Sequence, residues 1–225
     1  MPRLAADAFP DAGSQLERYA AVLNAVEINS SFHRPHRRAT YERWAATVPD
    51  DFAFAVKMPK TITHEARLLA ADALLDRFLE ESGGLGTKRG PILIQLPPSL
   101  AFDRAVASDF FTLLRARTAS ELVFEPRHRS WFTPDADAFL VSYRVARVAA
   151  DPPPATGAGE PGGWPGLRYT RLHGSPQMYR SSYDAAAIVR RAAGARKAGV
   201  DSWIMFDNTM TGAATLNALA MRAIL

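Results

Sequence analysis

The chain has 225 residues, of which 48% are hydrophobic and 22% are charged, and it carries a formal net charge of +4. These values are typical of a globular protein with one well-buried core, so a single domain over residues 1–225 is expected. The absence of cysteine excludes disulfides, thiolate catalysis and Cys-ligated metals, and it fits a reducing cytoplasm. The sequence predicts neither a membrane span nor a signal peptide, because no apolar run approaches about 18 residues and "MPRLAADAFPDAG" has no apolar core.

Short apolar runs alternate with longer amphipathic ones along the chain. The predicted elements, in chain order, are helix Leu16–Asn24, strand Ala25–Asn29, a helix capped by Thr40, strand Phe52–Lys57, helix Leu68–Glu81, strand Pro91–Pro97, helix Arg104–Arg115, strand Glu121–Arg127, helix Asp135–Ser142, strand Arg144–Asp151, loop Pro152–Gly166, strand Leu167–Gly174, helix Asp184–Lys197, strand Ser202–Asn208 and a last helix from Gly212. About seven strands that alternate with helices indicate parallel βαβ units and favour a TIM (β/α)8-type barrel. A doubly wound open sheet is the alternative, but no Gly-rich dinucleotide fingerprint follows a strand.

Polar side chains end nearly every predicted strand. In a parallel barrel, successive strand residues point alternately to the helices and to the interior. In "VEINS", this period places Val26 and Ile28 toward the helices and Glu27 and Asn29 inward. The same argument points these strand-end residues inward: Lys57, Gln95, Glu125, Arg127, Asp151, Arg171 and His173, with Asp207 or Asn208 on the last strand. They would converge on the C-terminal mouth, where barrel enzymes place their active sites.

The five histidines agree with this placement. Each follows a predicted strand on the same face of the barrel: His33, His36, His64, His128 and His173. A lone histidine is usually structural, but five on one face favour a functional mouth. The competing interpretation is a buried salt-bridge network that only fills the barrel.

Six segments in this order resemble the DUF72 (YecE-like) family, whose biochemical function is unassigned. The segments, spread over Leu16–Ala218, are "VEINSSF", "AVKMPKTITH", "ILIQLPPS", "FEPRHRSWF", "RLHG" and "FDNT…GAATLNA". The resemblance implies a TIM-barrel fold. Members of that family open with a strand carrying a "GTSGW" motif, whereas here "DAFPDAG" resembles the segment that follows it. The resemblance therefore implies a barrel without its first strand.

The favoured functional hypothesis is an enzyme that acts on a small anionic or phosphorylated molecule by acid–base chemistry, of a hydrolase or lyase type. Glu27, Glu125, His173 and Asp207 are the candidate catalytic residues. The candidate substrate-binding residues are Asn29, Lys57, His64, Gln95, Arg127, Asp151, Arg171, Tyr183 and Asn208. Arginine suits bidentate recognition of phosphate, and the free N–H groups near Gly174 and Gly212 suit an anion.

Three alternatives remain open. A divalent metal would use Glu27, Glu125, His173 and Asp207 with Asn208, although no local ligand motif is present. A nucleic-acid-binding or endonuclease-like barrel would stack bases on loop aromatics, namely Phe32, Trp131, Phe132, Tyr179 and Tyr183, and its binding would weaken steeply with salt. A non-catalytic sensor or scaffold is the third alternative. The sequence indicates no oligomeric state.

Overall fold

The computed structural model describes residues 3–225 and shows parallel strands covered by helices. The strands are β1 (Ala25–Ile28), β2 (Ala53–Lys57), β3 (Arg89–Gln95), β4 (Leu122–Glu125), β5 (Val145–Arg147), β6 (Ala149–Asp151), β7 (Gly162–Gly163), β8 (Arg168–Leu172) and β9 (Ser202–Phe206). The α-helices are α1 (Gln15–Ala20), α2 (Ser30–His33), α3 (Arg38–Thr47), α4 (Asp72–Ser82), α5 (Arg104–Arg115), α6 (Pro134–Ser142), α7 (Ala185–Lys197) and α8 (Ala213–Arg222). Shorter helical turns cover Arg3–Ala8, Thr61–Glu65, Gly83–Lys88 and Arg129–Trp131.

The strands follow one another in space in the order in which they occur in the chain. Strands β1 to β5 pair in parallel, β6, β8 and β9 form a second parallel series, and β7 pairs antiparallel to β5. Strands β5 and β6 are the two parts of one predicted strand, interrupted at Val148, whose N–H donates to the carbonyl oxygen of Phe124 at 2.9 Å. Seven parallel positions therefore run from β1 to β9, as predicted, and the fold is α/β and TIM-barrel-like.

Two separate apolar clusters confirm the predicted alternation along the strands. One face packs under the helices and includes Phe54, Val56, Ile92, Ile94, Leu122 and Phe124. The opposite face forms the interior cluster, which includes Ala55, Leu93, Val123, Ala146, Val148, Tyr169 and Met205. Because one register step would exchange the two faces, this pattern also determines which polar residues point inward at the strand ends.

Several predicted boundaries differ from the structure. Thr40 does not cap α3, because the helix already begins at Arg38 and Arg37 is its N-terminal cap residue. Ser30 and Ser31, between the predicted strand Ala25–Asn29 and the next predicted helix, begin a short helix, α2, that the sequence does not predict. There the Ser31 hydroxyl donates to the carbonyl oxygens of Ile28 and Lys57 at 2.9 and 2.6 Å, so it ties the ends of β1 and β2 together.

Helix α4 begins four residues later than predicted. Arg67, Leu68 and Ala70 have positive φ angles of 53°, 71° and 44°, which a right-handed helix cannot contain. The apolar spacing of Leu74, Leu75 and Phe78 continues backward to Leu68, and this continuity is the reason that the sequence predicts an earlier start.

The connection from β6 to β8 differs from the other crossovers. Each of the other successive parallel strands is joined by at least one α-helix, as a parallel sheet buried on both faces requires. In the described structure, residues 152–167 contain the two-residue strand β7 and no helix. A Pro/Gly-rich loop therefore takes the place of a helix against the outer face of β6. Within residues 3–225, no helix has the length and apolar character needed to cross a bilayer.

Candidate functional site at the C-terminal mouth

Arg171, near the end of β8, is the centre of a buried ion-pair network. Its Nε and Nη2 donate to the two carboxylate oxygens of Glu27 at 3.0 and 2.6 Å. Its Nη1 donates to Glu125 at 2.7 Å, and Nη2 also donates to Asp207 at 3.1 Å. The Tyr169 hydroxyl donates to Glu27 at 2.8 Å. These contacts link β1, β4, β8 and the end of β9 across the interior, so the predicted convergence of these residues is confirmed.

The network keeps its members charged despite their burial. Burial disfavours the charge of Arg171, but the carboxylates of Glu27, Glu125 and Asp207 raise its pKa well above the usual value. Burial also opposes ionisation of Glu125, yet Arg171, His173 and Arg127 outweigh it and lower the pKa of this carboxyl. Glu125 is therefore an ionised acceptor at neutral pH, which does not suit it to donate a proton as a general acid.

His173 bridges two carboxylates just beyond β8. Its Nδ1 lies 3.0 Å from Asp207 and its Nε2 lies 3.1 Å from Glu125. Burial favours the neutral ring, but hydrogen bonds to Asp207 and Glu125 prevail and raise the pKa of His173. Burial likewise opposes the charge of Asp207, whose pKa is nevertheless lowered by His173 and Arg171. Because both ring nitrogens contact carboxylates, the imidazolium form is favoured.

Lys57, the last residue of β2, differs from the other cations. Its side chain is buried, and its Nζ lies 4.2 Å from the centre of the Phe32 ring. Among the residues that the structure describes, its ammonium forms no ion pair. Burial and the nearby Arg171 lower its pKa to about 8. His64 lies beside it and packs edge-on against Phe32, and burial together with Lys57 and Arg127 lowers the pKa of this histidine.

Four buried side-chain polar atoms have no hydrogen-bond partner within residues 3–225. Three of them, Oδ1 of Asn29, Oε1 of Gln95 and Nε of Arg127, follow or end β1, β3 and β4, and the fourth is Oδ1 of Asn208, which follows β9. Arg127 also donates from Nη2 to Glu125 at 3.3 Å. Buried polar atoms are normally satisfied, and leaving one unpaired costs roughly 1–3 kcal/mol. The three atoms after β1, β3 and β4 are therefore candidates for contact with a bound molecule.

The structure does not bring three of the predicted binding residues to this mouth. Asp151 faces away from the interior and accepts from Arg191 on α7 at 2.7 Å. The phase of the strand explains the difference, because Ala146 and Val148 are the inward residues and Asp151 is therefore on the opposite face. The predicted inward orientation of Asp151 is thus corrected.

Tyr183 and Asn208 instead hold the loop after β8. The Tyr183 hydroxyl accepts from the N–H of Gly174 at 2.9 Å and donates to the carbonyl oxygen of Asp151 at 3.1 Å, while its ring packs in a core with Leu172. Asn208 Nδ2 donates to Ser181 and to Asn217, both at 2.9 Å. These contacts stabilise the β8–α7 loop rather than line the mouth.

Tyr169 is the network member that is absent from the predicted candidate set. Its spacing of two residues from Arg171 is the signal that identifies it, since both share one strand face. The proposed base-stacking aromatics are mostly in the core: Trp131 and Tyr183 are buried, and Phe132 lies against the Arg147 guanidinium. Phe32 and Tyr179 remain at the mouth, where Tyr179 packs edge-on against His173.

The predicted metal ligands are close together but are arranged as ion-pair partners. Within residues 3–225, no group of three His, Asp or Glu side chains has a geometry that could hold a metal ion. The Arg171 guanidinium separates Glu27, Glu125 and Asp207 and binds their oxygens. The donor set therefore does not fit a divalent cation.

The fold and this mouth define a TIM-barrel-like α/β protein with its polar site at the carboxyl ends of the strands. The chain belongs to the DUF72 family, described as a protein family of unknown function, whose model matches residues 6–225. A stretch of 84 residues is 36% identical to the UPF0759 protein YecE of Escherichia coli, and it covers 37% of this chain and 31% of that relative.

Solved structures support the same fold. The chain is similar to a DUF72 family protein from Enterococcus faecalis, with a TM-score of 0.83 and 20% identity over 98% of this chain and 92% of the other. It is also similar to a DUF72 family protein from Thermotoga maritima, with a TM-score of 0.77 and 23% identity over 96% of this chain and 91% of the other. At such identities the likeness concerns the fold alone.

Proposed function

We propose that the protein is an enzyme acting on a small anionic molecule that also carries hydroxyl groups, such as a phosphorylated sugar or a sugar acid. The observation that carries this proposal is the group of unpaired polar atoms of Asn29, Gln95 and Arg127, which end or follow β1, β3 and β4, together with the Lys57 ammonium at the end of β2. A ligand that satisfies all of them needs an anionic group and hydrogen-bond donors within one small volume.

Lys57 and Arg127 would supply the charge for the anionic group. Lys57 is a point charge without an ion-pair partner among the described residues, and Arg127 Nε is a buried donor without an acceptor. Cationic donors of this kind form short, charge-assisted hydrogen bonds to phosphate or carboxylate oxygens. Arg171 would contribute less, because Glu27, Glu125 and Asp207 already occupy its donors.

Asn29 and Gln95 would bind the hydroxyl groups. Their buried side-chain oxygens are acceptors, so they match O–H donors on a substrate and would be left unpaired by a molecule without them. A site built in this way discriminates strongly against analogues that lack the hydroxyl group. This pairing of acceptors with cations favours a hydroxylated anion over a simple inorganic one.

Lys57 is the proposed acid–base group. A pKa of about 8 means that a fraction of the amine is neutral near pH 7, so the same side chain can accept and return a proton. This assignment replaces the expected role of Glu27 and Glu125, whose carboxylates are held by Arg171. The reaction class that fits is proton transfer of the kind used by lyases and hydrolases.

A thermal-shift and calorimetric comparison of glucose 6-phosphate, gluconate and inorganic phosphate tests the proposal. At least one of the two hydroxylated anions should raise the melting temperature of the wild-type protein by mass action and bind more tightly than phosphate. Lys57→Met and Gln95→Leu should each weaken that binding by tenfold or more, about 1.4 kcal/mol. The matched control is Lys60→Met, since Lys60 is an exposed lysine paired with Glu65.

Two results would contradict the proposal. One is the absence of saturable binding of either hydroxylated anion to wild-type protein. The other is equal binding by the wild type and by Lys57→Met, which would place the ligand elsewhere. A result in which inorganic phosphate binds as tightly as the hydroxylated anions would remove the role given to Asn29 and Gln95.

A further inference from the structure

A cavity lies on the outer face of the barrel, where most of the strand residues that line it point away from the interior. It has a volume of about 470 Å³ and lies between β6, β8, β9 and helix α7. The connection from β6 to β8 provides its rim through Pro153, Gly159 and Pro161. The cavity occurs where this connection has no helix to cover the outer face of β6.

Small side chains on both walls keep the cavity open. Ala149 of β6 faces Ala187, Gly194 and Ala195 of α7. Large apolar residues at these positions would fill the space, as they do under α5, where Phe110 and Phe111 are fully buried. A volume of this size is within the range of pockets that hold small organic ligands, roughly 300–1,000 Å³.

The charged residues that line the cavity have an excess of one positive charge. Arg168, Arg190 and Arg191 contribute to the walls, and Asp151 and Glu160 are the acidic residues among them. Arg191 pairs with Asp151 at 2.7 Å, so these two charges balance each other. Arg168 Nη1 donates to the carbonyl oxygen of Gly194 at 3.2 Å, which leaves other donors of its five available. Arg190 is exposed at the edge of the cavity.

The remainder of the lining is apolar or carries single hydroxyls. Ile204 and the alanines form the apolar part, and Thr170 is half-buried in the wall beside Arg168. A ligand that matches this lining needs an anionic group near Arg168 and Arg190 and an apolar body against Ile204 and Ala149. Neither a cation nor an uncharged hydrocarbon would use both parts of the cavity.

We propose that this cavity is a binding site for a small organic anion in which a phosphate or carboxylate group is attached to an apolar body. The anionic group binds Arg168 and Arg190, and the body occupies the space that a covering helix would fill. The site is separate from the mouth, because Arg168 and Thr170 are on the strand face opposite to Tyr169 and Arg171. It does not depend on the proposed reaction at the mouth.

Isothermal titration with phenyl phosphate and with phenylacetate tests the proposal on the full chain, and phenol and inorganic phosphate are the reference probes. At least one organic anion should bind with a dissociation constant below about 1 mM and more tightly than either reference probe. A preference between the two anions distinguishes phosphate from carboxylate as the natural group.

Variants with matched controls locate the binding. Arg190→Gln should weaken binding by about tenfold, whereas Lys197→Gln, an exposed basic residue on the same helix, should leave it unchanged. Ala187→Leu should abolish binding by filling the cavity, whereas Ala186→Leu, an exposed neighbour on α7, should not. Melting temperatures show that each variant is folded.

Three outcomes would overturn the proposal. The first is that neither organic anion shows saturable binding to the wild-type protein. The second is that Arg190→Gln and Ala187→Leu bind as the wild type does. The third is that Lys57→Met abolishes binding while Ala187→Leu retains it, which would assign the probe to the mouth. The proposed function at the mouth can fail without affecting any of these results.

Discussion

The two sides of the mouth differ in how completely their polar groups are satisfied. At the end of β8, Arg171 and His173 connect three carboxylates, which come from β1, β4 and the end of β9, through hydrogen bonds of 2.6 to 3.1 Å. On the side of β1 to β3, Lys57 contacts an aromatic ring, and Asn29 and Gln95 carry buried oxygens without partners in the described chain. The difference separates a network of paired charges from the group of residues that we propose as the ligand-binding surface. The stability of variants can test this separation.

The largest expected effect is that of Arg171→Met. This substitution leaves Glu27, Glu125 and Asp207 close together without their shared cation, and breaking such a buried network costs about 3–5 kcal/mol. Urea denaturation at pH 7 measures the change in the free energy of unfolding. Arg168→Met, on the opposite face of the same strand, should cost less because it removes a bond to one carbonyl oxygen. Equal losses in the two variants would contradict the central role of Arg171.

Lys57→Met should change the free energy of unfolding in the opposite direction, toward greater stability. Burial lowers the pKa of Lys57 to about 8. At pH 7 the ammonium is therefore mostly charged, and removing it from water on folding costs free energy. Replacing it with methionine should therefore raise the free energy of unfolding by about 1–3 kcal/mol while ligand binding is lost. The wild-type protein should also gain stability relative to this variant as the pH rises from 8 toward 10. A destabilised Lys57→Met protein would place Lys57 in the structural network.

His173 is expected to make the stability of the β8–β9 side depend on pH. Its pKa is raised in the folded protein, so its contribution is complete below the unfolded value of about 6.5 and is lost as the pH rises through the folded value. His173→Gln should therefore lower the free energy of unfolding near pH 6 and lower it progressively less at higher pH. Urea denaturation curves at a series of pH values from about 5.5 to 9, which span the range in which histidine titrates, measure this change. The control is His33→Gln, a substitution at an exposed position.

The smallest expected effect is that of Gln95→Leu. Its buried Oε1 has no partner within residues 3–225, so an apolar replacement removes an unfavourable group and should change stability by less than about 1 kcal/mol. Asn217→Leu is the matched contrast, because Asn217 accepts from Tyr183 and Asn208 and donates to Tyr183 and Ser182. That variant should lose about 2 kcal/mol or more by urea denaturation. Comparable losses in both would indicate that Gln95 is satisfied within the protein.

Much of the mouth could be predicted from alternation along single strands. Glu27, Lys57, Gln95 and Glu125 each lie in a short run whose apolar residues mark the outward face, whereas Arg171 shares its inward face with Leu167 and Tyr169. Asp151 could not be placed in this way, since Val145–Ala150 is apolar or small on both faces except at Arg147 and has no contrast that identifies the inward side. Tyr183 and Asn208 were expected in the site because they follow strands, but their contacts come from α8 and from a neighbouring loop, which strand periodicity does not describe.

The sequence by itself determined the number and order of the strands, the two faces of most of them and the members of the ion-pair network other than Tyr169, because a period of two residues is a local property of an extended chain. The tertiary structure decided which of these groups are satisfied. Pairing depends on distances across the interior between strands that are far apart in the chain, such as Glu27 and Arg171, which are 144 positions apart. It also decided that the outer face of β6 carries a cavity, because a cavity depends on the packing of a loop and a helix against a strand rather than on any one of them.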